Sequence, residues 1–184
     1  MADPSATRDR LQFSAGGWLS TLPAATRFIL QGVPSAFAAA GAAFGVGLPD
    51  AACRATVQGE RAALWLGPDE FLLLAPEPDA EKLRAALPAA LAGLAHSLVD
   101  VSHRQLALRV SGPDAAEILN TGCPLDLDRE AFPVGMCTRT LLAKTEIVLW
   151  RKGPEEFQLE VWRSFADYAT QWMMEAARDF AAAG

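Results

Sequence analysis

Two stretches of this chain decide its fold, ALWLGPDEFLLL at residues 63–74 and VLWRKGPEEFQLEV at residues 148–161. Each runs from a tryptophan through a Gly-Pro turn to acidic residues and a phenylalanine. A cysteine-led segment precedes each stretch, CRATV from Cys53 and CTRTL from Cys137. Because cysteine, tryptophan, turn and phenylalanine recur in the same order, the sequence indicates an internal duplication.

The repeat extends toward the N-terminal end of each copy. RFILQG at residues 27–32 precedes Pro34 and a run of Ala and Phe, and LALRVSG at residues 106–112 precedes Pro113 and DAAEIL. Each segment is typical of a strand, a Gly-Pro corner and a helix, because proline suits the first turn of a helix. Each copy therefore predicts the order strand, helix, three strands, helix.

The alignment pairs Trp65 with Trp150, at an offset of roughly 80–86 residues between the copies. This period exceeds the ~20–50 residues of solenoid repeats. We therefore predict an α+β fold built by tandem duplication of a β-α-β-β-β-α unit. The predicted boundaries are an N-terminal arm at 1–20 and a single duplicated domain at 21–184, with halves at about 24–97 and 98–184.

Composition limits the class of protein. The chain of 184 residues has a net charge of −6 and scattered Lys and Arg, which argues against a nucleic-acid partner. No apolar run reaches the ~18 residues of a membrane span, and the N-terminus lacks the apolar core of a secretory signal. The three cysteines form no C-x-x-C pair, which favours buried, reduced thiols. A cytoplasmic protein without a membrane or nucleic-acid partner is expected.

Motifs for catalysis are scarce. His96 and His103 lack metal-ligand spacing, and neither a Lys-terminated phosphate loop nor a G-x-S-x-G motif is present. The most pointed polar cluster is DVSHR at residues 100–104. His103 and Arg104 could contact a ligand or a partner, since arginine binds carboxylates through paired hydrogen bonds. Equally, the cluster could cap a turn and form salt bridges.

Three residues are candidates for partner contacts. Trp18 follows two glycines, which suits an arm that folds onto its own domain or onto a partner. Phe44 lies in the Ala/Gly/Phe segment 36–48, which shows no amphipathic stripe and reads as a loop from Gly41 onward. Arg139 belongs to the polar cluster CTRT, although Arg54 near the matching place in the first copy favours a structural role for both.

Two closing helices are predicted. The first begins near Asp79 as a cap, and Pro88 is expected to kink or split it. The second begins after Ser164 as N-cap and carries apolar residues at helical spacing, including Phe165 and Trp172. An aromatic stripe of this kind predicts burial in the core.

Five motifs in order resemble the gamma subunit of heterotetrameric sarcosine oxidase over about residues 18–181. These motifs are WLGPDEFLL (65–73), VDVSHR (99–104), LNTGCPLDL (119–127), CTRT (137–140) and RSFADY (163–168). Tetrameric N-methylglutamate dehydrogenase has a similar subunit. The resemblance implies a fold like the folate-binding domain of aminomethyltransferase, which is itself built from repeated α/β halves.

The resemblance also implies a function for a complex. Such an oxidase demethylates sarcosine to glycine, passes the one-carbon unit to tetrahydrofolate and forms hydrogen peroxide. FAD and FMN are associated with the beta subunit, NAD with the alpha subunit and zinc with the delta subunit, so no cofactor is expected on this chain. We therefore expect a non-catalytic subunit that contacts the alpha, beta and delta subunits, with alpha the foremost direct contact. The alternatives are a subunit of N-methylglutamate dehydrogenase and a stand-alone folate-binding module.

Overall fold

The computed structural model describes residues 14, 15 and 17–181. The strands in chain order are β1 (Ser14–Ala15), β2 (Leu19–Thr21), β3 (Ala25–Gly32), β4 (Ala55–Gln58), β5 (Arg61–Gly67), β6 (Glu70–Pro76), β7 (His96–Asp100), β8 (Gln105–Ser111), β9 (Cys137–Leu142), β10 (Thr145–Gly153) and β11 (Glu156–Trp162). The helices are α1 (Pro34–Phe44), α2 (Ala80–Ala90), α3 (Ala115–Asn120) and α4 (Ala166–Ala181).

The predicted duplication is confirmed. The first copy runs β3-α1-β4-β5-β6-α2 and the second runs β8-α3-β9-β10-β11-α4. One sheet has the strand order β4-β5-β6-β3-β7, and the other has the order β1-β2-β8-β11-β10-β9. Within each sheet the last strand of the triplet lies next to the first strand of its copy, so both copies are built on the same α+β plan.

Each sheet includes a strand from the segment that precedes the other copy. β2 leads into the first copy but pairs with β8, so that Leu19 faces Val110. β7 leads into the second copy but pairs with β3, so that Leu98 faces Leu30. Leu19 is buried, hence the C-terminal end of the predicted arm at 1–20 is a strand of the sheet. Residues 1–13 and 16 of that arm lie outside the described residues.

The chain accordingly divides into two compact units. The first unit contains Ala24–Arg104 and Gly135–Thr138. The second unit contains the described residues before Ala24, Gln105–Val134 and Arg139 onward. The predicted halves at 24–97 and 98–184 did not include this exchange of strands. β7 falls in the first unit and β2 in the second, because each of these two strands pairs with the copy that does not follow it in the chain.

The register of the hairpins corrects one part of the sequence alignment. Trp65 faces Phe71 in the first copy, whereas in the second copy the residue that faces Phe157 is Arg151. Trp150 lies one position earlier and points to the opposite face, because side chains alternate along a strand. The second copy has one more residue between its tryptophan and its Gly-Pro turn. Arg151, not Trp150, is therefore the structural counterpart of Trp65.

The core of the first unit lies between its sheet and helices α1 and α2, which pack against each other. α2 continues through Pro88 and is not split there, and the proline lies in the last turn, two residues before the helix ends. Asp79 makes no side-chain cap and instead pairs with Arg61 at 2.7 Å. Gly41 belongs to α1, and the predicted loop begins only at Gly45, whose φ of 80° ends the helix.

Helix α4 covers the sheet of the second unit with only part of its apolar surface. Ala166, Ala169 and Met173 are buried. Phe165 and Trp172 remain 42% and 37% exposed, so the predicted burial of the whole aromatic stripe was wrong. Trp172 lies on the flank of the helix, about a quarter-turn away from the buried row, and Phe165 lies in the short 3-10 turn just before the helix begins.

Candidate functional site

The structure corrects the prediction for Phe44. Its side chain is 0% exposed and belongs to the core cluster of the first unit. The Phe44 carbonyl accepts a hydrogen bond of 2.6 Å from Arg61 Nη1, and the guanidinium carbon lies 5.7 Å from the centre of the ring. The side chain is therefore part of the core and cannot serve as a partner contact in this structure.

Trp18 and Arg139, the other two candidates for partner contacts, are partly exposed. Trp18 lies in the turn before β2, where its carbonyl accepts a hydrogen bond of 2.7 Å from the Ser111 backbone N–H. Arg109 also donates to the Gly17 carbonyl, at 3.2 Å. Arg139 pairs with Glu146 at 3.6 Å. The structure therefore leaves both side chains accessible, and their contact with a partner stays a prediction.

The cluster at residues 100–104 is a turn held by side chains. Asp100 Oδ1 accepts hydrogen bonds from the Ser102 hydroxyl at 2.6 Å and from the Ser102 backbone N–H at 2.9 Å. Ser102 Oγ in turn accepts from the Arg27 backbone N–H at 2.9 Å. Arg84 on α2 pairs with the second oxygen of Asp100 at 2.8 Å. This arrangement is the turn-capping alternative that the sequence left open.

The electrostatics of this turn favour an ionised Asp100. Partial burial alone would raise the pKa of Asp100, but the hydrogen bonds from Ser102 and Arg84 outweigh it and hold that pKa below its ordinary value of 3.8. The hydrogen bond with Asp100, and after it the hydrogen bond with Glu81, raise the pKa of Arg84. The charge of Asp100 therefore stabilises the turn at neutral pH.

His103 and Arg104 lie on this turn and are exposed. Neither lines the cavity beside Arg151 and Phe157 or the cavity beside Arg61 and Asp79. A ligand role for either residue is therefore not supported by a cavity here, and the prediction stays untested.

A feature that the sequence did not reveal lies in the second unit. Arg151 is only 2% exposed, although it carries a full charge. Its Nη1 donates to the carbonyls of Leu127 at 3.0 Å and Phe132 at 2.7 Å, and its Nη2 donates to Pro154 at 2.9 Å. The guanidinium thus joins the 127–132 loop to the β10–β11 hairpin.

Arg151 also lines a cavity of about 310 Å³ together with Phe157 and the first turn of α3. Burial, and to a smaller extent the charge of Arg129, lower the pKa of Arg151. The signal in the sequence is the dipeptide Arg-Lys that precedes the second Gly-Pro turn, where the first copy has a single leucine. Which of these two residues lies opposite Phe157 depends on the register of the hairpin, and the sequence pattern alone did not resolve that register.

Four aromatic side chains, three exposed and one half-buried, form a second feature of the second unit. Trp162 and Phe165 contact each other with ring centres 6.5 Å apart, and Tyr168 and Trp172 do so at 6.4 Å. Trp162 is 38% exposed. We refer to these four residues as the aromatic row. Aromatic side chains are enriched in protein interfaces, so the row is a candidate contact surface.

The three cysteines differ in how far their side chains are buried. Cys123 and Cys137 are buried, whereas Cys53 is half-buried, and all three are free thiols. Burial raises the pKa of Cys137 to about 12. Buried thiols of this kind are unreactive at neutral pH, because the thiolate is the nucleophile.

Over the part of the chain that the structure describes, no group of three or more His, Cys, Asp or Glu side chains has an arrangement that could hold a metal ion. Among the same residues, no helix has the length and apolar character needed to cross a bilayer.

Comparison with known proteins places these features in a family. Residues 31–179 match the model of the family described as "Sarcosine oxidase, gamma subunit family". A sarcosine oxidase subunit gamma from Corynebacterium sp. (strain P-1) is 38% identical over 161 residues, which cover 85% of this chain and 78% of the relative. A counterpart from Arthrobacter sp. is 37% identical over 160 residues, with the same coverage.

Solved structures agree with the sequence relatives. One chain of the heterotetrameric sarcosine oxidase from Corynebacterium sp. U-96 is 34% identical with a TM-score of 0.83, over 96% of this chain and 91% of that one. The glycine cleavage system aminomethyltransferase T from Bartonella henselae is 16% identical with a TM-score of 0.63, covering 85% of this chain and 45% of that chain, a likeness that shows the shared fold alone. The match to the family model and these relatives establish that this chain belongs to the sarcosine oxidase gamma subunit family.

Proposed function

We propose that this chain is the gamma subunit of a heterotetrameric sarcosine oxidase and that it binds its partner subunits without contributing a catalytic group. The observation that carries this proposal is the match to one chain of a heterotetrameric sarcosine oxidase across 96% of the present chain. The match also covers 91% of that chain.

The polar clusters support a structural role. Asp100, Ser102 and Arg84 use their hydrogen bonds to hold a turn, and Arg139 pairs with Glu146 on the same hairpin. A general acid or base must instead be able to reach a proton on the substrate. We therefore place the chemistry on the other subunits of the complex.

For the complex as a whole we propose oxidative demethylation of sarcosine to glycine, with transfer of the one-carbon unit to tetrahydrofolate. FAD and FMN would be bound by the beta subunit, NAD by the alpha subunit and zinc by the delta subunit, with no cofactor on this chain. A cytoplasmic location follows for an enzyme that depends on these soluble metabolites. The alpha subunit is the partner that we expect in direct contact.

The aromatic row is the part of the second unit that we expect to contact a partner subunit. The few residues that carry most of the binding energy of an interface are enriched in Trp and Tyr, and truncating one of them costs about 2 kcal/mol or more. Trp18 remains a second candidate contact in this unit.

Co-expression tests the proposal. An affinity tag on this chain should recover the alpha, beta and delta subunits, and the recovered complex should oxidise sarcosine. The double variant Trp162→Ser/Phe165→Ser should recover much less of the partners, whereas Val57→Ser, an exposed apolar residue of the first unit, serves as the matched control. Recovery of this chain alone would overturn the proposal.

Two further assays separate the alternatives. Faster turnover of N-methylglutamate than of sarcosine by the recovered complex would indicate a subunit of N-methylglutamate dehydrogenase. Calorimetry of this chain alone with tetrahydrofolate tests the stand-alone folate-binding module. We expect no heat of binding in that experiment.

A further inference from the structure

We propose that the second unit contains a binding site for a carboxylate group in the cavity beside Arg151. This inference goes beyond the assembly role proposed above and does not depend on it. The carboxylate belongs either to a small molecule or to an acidic side chain of a partner subunit, and the experiment below distinguishes these two sources.

The cavity has a defined shape and a charged wall. It has a volume of about 310 Å³ and lies between the first turn of α3, the loop after Leu127 and the β10–β11 hairpin. Its walls include Pro113, Ala116 and Asn120 on one side and Arg151 and Phe157 on the other. A single carboxylate with a few carbon atoms attached fits this volume, because pockets for drug-sized ligands begin at about 300 Å³.

Arg151 lacks the partner that a buried guanidinium normally has. Among the described residues no carboxylate lies within ion-pair distance of it, and its three hydrogen bonds all go to backbone carbonyls. A guanidinium has five N–H donors, so two remain, and one of these is Nε–H, which is buried and has no acceptor. A charge taken out of water without a counter-charge is costly, so this arrangement favours an incoming anion.

The acidic residues that line the cavity offset the charge of Arg151 only in part, because the charges of Asp128 and Glu117 raise its pKa but do not outweigh the lowering by burial. Glu155 is engaged by Arg129 at 3.2 Å, and Glu117 and Asp128 are exposed to water. Interactions between exposed charges are screened by water and salt, whereas a buried charge is screened much less. The buried guanidinium of Arg151 therefore favours an anion, even though the other charged residues that line the cavity are of both signs.

The plan shared by the two copies does not require an arginine at this position. The counterpart in the first unit is Trp65, which faces Phe71 and packs against the apolar core. In the second unit the same register position carries a cation whose carbon Cζ lies 4.7 Å from the centre of the Phe157 ring. A carboxylate is the anion of choice, because its planar pair of oxygens matches the parallel N–H groups of a guanidinium.

The Nε–H group of Arg151 can be observed directly by NMR in the full-length chain labelled with ¹⁵N. Its resonance is assigned as the one that disappears in Arg151→Lys. Acetate is added in one titration and chloride at equal ionic strength in another. We expect a saturable shift of this resonance with acetate in the millimolar range and no comparable shift with chloride.

A second variant changes the cavity and keeps Arg151 itself, so that the test does not depend on a substitution of the arginine. Ala116→Met fills the cavity from α3 without touching the guanidinium and should weaken acetate binding at least about tenfold, which is about 1.4 kcal/mol. Ala176→Met places the same side chain on α4 away from the cavity and should bind acetate as the wild type does. Equal acetate binding by the wild type and Ala116→Met would overturn the site.

The same resonance identifies the source of the carboxylate. If acetate leaves Nε–H unchanged but assembly with the partner subunits shifts it, and Ala116→Met removes that shift, the carboxylate comes from a partner side chain. If Nε–H responds neither to acetate nor to assembly, the proposal is overturned. If this chain does not assemble with the partner subunits, the proposed function is contradicted. The acetate titration of the isolated chain then decides on this site by itself.

Discussion

The guanidinium of Arg151 lies over the ring of Phe157, with Cζ 4.7 Å from the ring centre, at the register position where the first copy places Trp65 opposite Phe71. One fold thus uses the same pair of positions in two ways. In the first unit Phe71 makes an edge contact with Phe37, with ring centres 4.9 Å apart. In the second unit the arginine binds three carbonyls that an apolar residue would leave unpaired.

Replacing Arg151 with Met should destabilise the chain. The change leaves the carbonyls of Leu127, Phe132 and Pro154 without their donor, and each unsatisfied buried group costs about 1–3 kcal/mol. Relief from burying a charge offsets part of this, so we expect a loss of about 2 kcal/mol in the free energy of unfolding by urea denaturation. Arg129→Met is the control, because Arg129 is 63% exposed and should contribute less than about 1 kcal/mol. Equal stability of the two variants would contradict this role of Arg151.

The turn around Asp100 should make stability depend on pH. The folded-state pKa of Asp100 is lowered, so its contribution is fully present above the ordinary value of 3.8 and is lost as the pH falls through the folded-state pKa. Asp100→Asn should lower the free energy of unfolding at pH 7 by roughly 1 kcal/mol. Urea denaturation at several pH values should show the difference from wild type shrinking below pH 3.8. Asp50→Asn, an exposed control, should show no such convergence.

Gly122 should not tolerate a side chain. A methyl group there would lie 2.7 Å from Trp172 Nε1 and 3.1 Å from the Ala143 backbone nitrogen. Because backbone cannot move aside easily, Gly122→Ala should cost about 1–3 kcal/mol and lower the midpoint of thermal unfolding. Gly47→Ala meets nothing within 4 Å and should leave the midpoint unchanged or slightly higher. A neutral Gly122→Ala would show that Trp172 does not pack where the structure places it.

The cysteines should differ in reactivity. The buried Cys137, whose pKa is raised to about 12, and the buried Cys123 should resist a thiol reagent at pH 8 until the chain unfolds. The half-buried Cys53 should react in the folded chain. Titration with a chromogenic disulfide should therefore count one fast thiol in the wild type and none in Cys53→Ser. Fast reaction of a second thiol in the native chain would contradict the observed burial.

The sequence predicted the architecture because turns and apolar runs recur in both copies. Gly-Pro turns followed by Phe71 and Phe157 mark the hairpins, and the long apolar run of β6 predicts a central strand. The pairing of β2 with β8 and of β7 with β3 was not predictable in the same way. β2 has only three residues, of which Leu19 alone is fully buried, so its pattern carries little information about its partner strand.

Other features escaped prediction because they depend on register and on packing direction. A shift of one residue before a turn moved Trp150 away from the position of Trp65 and placed Arg151 there. In α1, a helix composed almost entirely of apolar and small residues, the sequence does not mark the buried face, and Phe44 was predicted to be accessible when it is buried. For the turn at residues 100–104 the sequence left two alternatives open, since hydrogen-bond partners such as Arg27 and Arg84 lie far away in sequence.

Native mass spectrometry of the complex recovered through a tag on this chain tests the central claim most directly. The account predicts one species that contains a single copy of this chain together with the alpha, beta and delta subunits. A complex of alpha, beta and delta that forms without this chain and oxidises sarcosine at the same rate, while the tagged chain remains a monomer, would contradict it.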